Sequence, residues 1–122
     1  MFRVSEEGFQ ELIDKAIVSL PKTHTKAVEN VAIVFEDLPS EEQRQNTNLN
    51  PYQTLLGLYE GLPLSQRQGM TKVVPDKITL FKLPLENISS DSDGLYKNIR
   101  HTIWHEMAHY FGLNHKQISE LE

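Results

Sequence analysis

The segment from His105 to His115, "HEMAHYFGLNH", gathers three of the five histidines of this chain into eleven residues. No other feature constrains the fold as strongly. Leu95, Ile99, Ile103, Met107, Tyr110 and Phe111 recur at helical period and fall on one side of a helical wheel, with Trp104 at the margin. His101, His105 and His109 occupy the other side. A helix of this kind must bury its apolar stripe against other elements and keep its histidine stripe clear of them. Trp104, Met107 and Phe111 accordingly read as core packing.

Histidines four apart project from one face a turn apart, so His105 and His109 can aim imidazole nitrogens at a single metal ion. Glu106 is displaced around the helix axis, which suits a carboxylate that handles a water beside the ion and does not bind the ion itself. Catalytic zinc usually takes three protein ligands and keeps one position open, so a third ligand is expected. Only 13 residues of the sequence (122 minus 109) follow His109, which puts that ligand close by. Gly112 can end the helix with a positive φ and turn the backbone toward the ion, bringing His115 into reach. The result is the spacing His-Glu-x-x-His-x-x-Gly-x-x-His. Glu120 is the alternative third ligand if His115 points away. A fourth protein ligand would close the site, so His101 reads as solvated or as a partner to a ligand. His24, in a polar stretch, reads as a surface residue. The bland alternative is that the cluster decorates a solvated helix, and the number of positions a metal template fixes weighs against it.

Composition narrows the chemistry. The chain has 122 residues, 39% of them hydrophobic, which fits one domain spanning 1–122 with a modest core. It contains no cysteine, so a metal must be held by nitrogen or oxygen, and no disulfide framework exists. Three imidazoles suit zinc and also tolerate nickel, iron or copper. No apolar run reaches the roughly 18 residues of a membrane span, and "MFRVSEEGF" lacks the pattern of a secretory signal. A soluble, cytoplasmic protein without a membrane partner is expected. The formal net charge of -5 and the scattered Lys and Arg disfavour nucleic acid.

Upstream of the histidine helix, Phe9, Leu12, Ile13, Ala16, Ile17 and Leu20 predict an amphipathic helix behind a Ser5 cap, stopped by Pro21. "NVAIVFEDLP" predicts a buried strand closed by Pro39. Residues 40–51, "SEEQRQNTNLNP", read as a solvated loop. "TLLGLYEGLPL" and "DKITLFKLPL" suit two more strands, and "ENISSDSDG" supplies a turn and a helix start.

The C-terminal run, taken with "LLGLYEGLPLSQRQ" and "VVPDKITLFKLPLEN", resembles the mini-zincin family of small bacterial metallopeptidase-like proteins, over nearly the whole chain. The resemblance implies an α+β, minimal zincin-like fold: an N-terminal helix and a small sheet of about three strands packed on a C-terminal active-site helix. It also implies Zn2+ held by His105, His109 and His115, with Glu106 as the catalytic base acting on a peptide or protein substrate. One position departs from the family. Where relatives typically carry aspartate, this chain has His115, as metzincins do, yet nothing after the motif provides a metzincin Met-turn. A third imidazole neutralises less of the ion's charge than a carboxylate would, which favours acidification of a bound water.

Two finer expectations accompany this reading. "DKITLFKL", just ahead of the metal helix, is the candidate sheet edge for an extended substrate. Tyr52, Tyr59, Tyr96 and Tyr110 are the available oxyanion donors, with Tyr110 placed in the core by its position. Two other functions compete. A non-catalytic metal-binding or interaction module could use the same scaffold, since a short chain offers few residues for a deep cleft. A metal-dependent endoribonuclease family spaces three histidines the same way, but carries glycine where this chain has Glu106.

Overall fold

A computed structural model describes residues 2–20, 31–46, 55–61 and 76–110. The order of elements is α1 (Glu6–Ser19), β1 (Val31–Glu36), α2 (Glu41–Asn46), β2 (Gly57–Glu60), β3 (Asp76–Phe81), α3 (Lys82–Asn87) and α4 (Ser92–Tyr110). Among the described residues the fold is therefore α+β: four helices and one three-stranded mixed sheet of order β1-β3-β2.

The N-terminal helix forms as its pattern dictates. Ser5 Oγ accepts the Gly8 N–H at 3.0 Å, satisfying one of the donors a helix start leaves over, and Glu6 and Glu7 favour the positive end of the helix dipole. Phe9, Ile13 and Ala16 are buried along one stripe. The helix closes where Leu20 N–H donates back to Ile17 O, just ahead of Pro21.

β3 lies in the middle of the sheet. It runs parallel to β1, with Val31 opposite Asp76 and Phe35 opposite Leu80, and antiparallel to β2, with Tyr59 opposite Ile78. Ile78 and Leu80 are fully buried, as a strand paired on both sides should be. This overturns the expectation that "DKITLFKL" offers an edge to a substrate, because both of its hydrogen-bonding sides are taken. β1 is also less enclosed than its composition suggested. Val31 is buried and Ile33 and Phe35 are half-buried, while Ala32, Val34 and Glu36 face outward. Phe35 packs on Phe9 at 4.9 Å between ring centroids, which seats α1 against this strand.

Two short helices stand where loop and strand were expected. In "SEEQ", Gln43 N–H donates to Ser40 Oγ at 3.1 Å and Ser40 N–H donates to Gln43 Oε1 at 2.8 Å. This reciprocal capping box starts α2 inside the supposed loop. Gln43 then donates from Nε2 to Glu60 Oε1 at 3.1 Å, fastening α2 to the end of β2. In "DKITLFKLPL" the strand ends at Phe81 and α3 begins at Lys82. Pro84 falls in the first turn of α3, where its missing N–H costs no hydrogen bond.

The long helix α4 starts at an Asp91 cap, whose Oδ1 accepts the Gly94 N–H at 2.8 Å. Leu95, Ile99, Ile103 and Met107 are all fully buried and join Phe9, Ile13, Ile78, Leu80 and Leu85 in one core. α4 packs on α1 and lies along β2 and β3. Arg100, midway along α4, holds the C-terminal end of α1, donating from Nε to Ser19 Oγ at 2.9 Å. The apolar stripe read from the sequence is thus the buried one as far as Ala108, and the side chain of Tyr110 and all of Phe111 lie outside the described residues.

Candidate active site

The candidate site forms where α4 passes beside β2. β2 can come this close because residue 57 is glycine: a Cβ there would stand 2.6 Å from Thr102 Cγ2. One helical turn further along α4 is Glu106, and two residues further along β2 is Tyr59. Phe81 N–H donates to Leu56 O at 3.0 Å, so Leu56, Leu58 and Glu60 turn their backbone groups toward β3. The Tyr59 N–H therefore points off the sheet, and Glu106 Oε1 accepts it at 2.9 Å.

That contact and its surroundings give Glu106 an unusual acidity. Burial in the seam between helix and strand pushes its carboxyl up from 4.5 to about 7, against the opposing pull of the Tyr59 hydrogen bond. The sign of the stability effect follows. The native metal-free chain holds a proton that the unfolded chain releases near 4.5, so stability should fall as pH rises from there through about 7, by up to about 3 kcal/mol. Urea unfolding of metal-free protein across this range should show the decline, and Glu106→Gln should flatten it. An equal slope in the two proteins would refute the assignment.

The histidines are placed by the same helix. His105 is half-buried beside Glu106, and His101 is exposed one turn earlier, with 6.3 Å between the two ring centroids. α4 continues unbroken through Tyr110, so the backbone of His109 stands one turn beyond that of His105 on the same face. Gly112, His115, Glu120 and His24 lie outside the described residues, as does the side chain of His109. Among the described residues no three His, Asp or Glu side chains gather into one cluster. The donor set nonetheless fits a zinc ion: histidine positions a helical turn apart on one helix, no competing thiolate, and a half-buried carboxylate on the next residue tied to the sheet.

Of the four tyrosines, Tyr59 and Tyr96 can be assigned. The Tyr59 phenol donates to Asp76 Oδ2. Tyr96 lies under Lys15, whose Nζ stands 4.5 Å from the ring centroid, and is about 15 Å along the helix from Glu106. Neither phenol faces the seam as an oxyanion donor. Tyr52 lies outside the described residues. The residues that sequence reasoning missed are Gly57, the main chain of Tyr59, and Asp76. An isolated glycine inside "LLGLYEG" is the available signal, because glycine in a strand marks close approach of another element.

A helix bearing His-Glu-x-x-His, laid along a small mixed sheet with its glutamate on the strand at the sheet's edge, defines a metallopeptidase type of scaffold. The family model for zincin-like metallopeptidases matches residues 28–122, and the chain belongs to that family. No curated protein matches it. Among the described residues no helix is long and apolar enough to cross a membrane.

Proposed function

We propose that this protein is a zinc-dependent peptidase that hydrolyses peptide bonds with Glu106 as general base and His105, His109 and His115 as zinc ligands. The observation that carries the reading is the Glu106 carboxylate, half-buried beside His105 and oriented by the Tyr59 N–H at 2.9 Å. A glutamate that served only surface solvation would not be withdrawn into a seam at this cost in ionisation.

Zinc, when bound, supplies Lewis acidity that polarises a scissile carbonyl and acidifies water. The protein's own part is proton handling and orientation. Glu106 keeps Oε1 on Tyr59 and uses Oε2 to take the proton of the attacking water. As the carbon–nitrogen bond breaks, the same oxygen returns that proton to the leaving amine. A peptide substrate would bring its scissile bond to this carboxylate at the seam between α4 and β2, where the outward Tyr59 N–H is already taken by Glu106. The cytoplasm is the proposed location, in keeping with a sequence free of cysteine.

The test begins with metal content by elemental mass spectrometry, on protein purified without a metal-binding tag. The native chain should hold one zinc, and His115→Ala should lose it or bind it far more weakly. A native chain that takes up no zinc when supplied with it would refute the site and favour an interaction module on a zincin scaffold. Cleavage of a peptide library by the zinc-loaded protein then tests the reaction.

A further inference from the structure

We propose that Tyr59 and Asp76 are positioning residues that hold the Glu106 carboxylate in its working orientation through the backbone of β2. This inference rests on the peptidase reading for its functional meaning, while its geometry stands independently.

The orientation of Glu106 depends on a main-chain N–H of the four-residue strand β2, which is paired to β3 along one side only among the described residues. A short edge strand twists and frays readily, and an N–H that swings with it cannot fix a carboxylate. Besides the Gln43 hydrogen bond to Glu60, two devices hold this strand around residue 59. At its start, Gly57 lets the backbone rest against Thr102 of α4. At its end, the Tyr59 side chain reaches diagonally across the ladder: Tyr59 pairs with Ile78, and its phenol donates to Asp76, two residues back on β3.

Asp76 is a carboxylate only 3% exposed. It opens β3 opposite Val31 of β1, so it is fixed to the sheet's far strand as well. Gly61, with φ at +154°, folds the end of β2 onto this carboxylate, and any side chain at 61 would collide with Asp76. Burying an acid costs more than apolar packing would. What the acid adds is direction: a phenol hydrogen-bonded at a fixed acceptor sets the rotation of residue 59, and the N–H of that residue is the donor to Glu106. The path from Asp76 through Tyr59 to Glu106 thus joins the centre of the sheet to the helix that carries the histidines.

The experiment reads the Tyr59 amide by hydrogen exchange and NMR in the 15N-labelled, metal-free, full-length protein. Glu106→Ala should speed exchange at this amide selectively, identifying its acceptor. Tyr59→Phe, which removes one oxygen, should speed exchange at residue 59 about tenfold relative to the amides of Leu58 and Glu60. In the zinc-loaded protein the same variant should lower kcat about tenfold with KM within about twofold, the pattern of a lost transition-state orientation. Asp76→Asn retains an acceptor oxygen and should stay within about threefold of native in both readouts. An unchanged amide at 59 in Tyr59→Phe, or faster exchange shared equally by 58, 59 and 60, would overturn the proposal. If the native protein cleaves no peptide while the amide responds as described, the positioning path is supported and the peptidase reading fails.

Discussion

Glu106→Gln should lower peptide hydrolysis by roughly 10²–10⁴-fold, the contribution typical of a positioned general base, while leaving zinc content unchanged. The substitution is informative because glutamine keeps an Oε1 that can still accept the Tyr59 N–H. The seam between α4 and β2 is preserved, and only the capacity to take a proton is removed. Zinc content by elemental mass spectrometry and initial rates on a peptide substrate, measured on the same preparation, separate the two effects. Full activity in the variant would refute Glu106 as the base. Loss of zinc together with activity would show that the carboxylate contributes to holding the ion.

The second large effect concerns stability. The Glu86 side chain is fully buried on α3, with Lys82 Nζ 3.1 Å from its Oε2 and the Val4 N–H donating to the same oxygen at 2.7 Å. Arg3 Nε approaches Oε1 at 3.7 Å. One carboxylate therefore ties the segment ahead of α1 to the helix that follows β3. Glu86→Ala removes the partner of a lysine that is only 7% exposed, and should cost about 3–5 kcal/mol by urea unfolding. The paired change Lys82→Met with Glu86→Leu should recover much of that loss, since two apolar groups leave no uncompensated charge. A single-variant cost below about 1 kcal/mol would show that the ion pair is solvated in solution.

Much of the architecture was legible because burial follows period. The stripes of α1 and α4 were read from apolar spacing, and Phe9, Ile13, Ile99 and Ile103 are fully buried. β1, β2 and β3 fall within the three apolar segments expected to form strands. The boundaries were set by local chemistry that periodicity does not register. α2 depends on the reciprocal Ser40 and Gln43 hydrogen bonds, legible in "SEEQ" only as a capping pattern. α3 begins at Lys82 because Pro84 is as acceptable in a first helical turn as it is after a strand. Strand order could not be read at all: β3 is central because of pairings between distant segments, and its apolar run suited an edge equally well.

The candidate site divides in the same way. His105, Glu106 and His109 announce themselves by type and spacing. The donor that orients Glu106 does not, because a backbone N–H belongs to every residue but proline and carries no signature. Its acceptor became identifiable only once Gly57 had brought β2 against α4.

Glu106 and the amide that orients it come from positions 47 residues apart. The histidine helix by itself therefore holds no aligned base, because the donor lies on a separate element. For the peptidase proposed here, hydrolytic competence would belong to the assembled fold and not to the motif: a helix carrying its histidines would still lack an aligned base until β2 is seated against it.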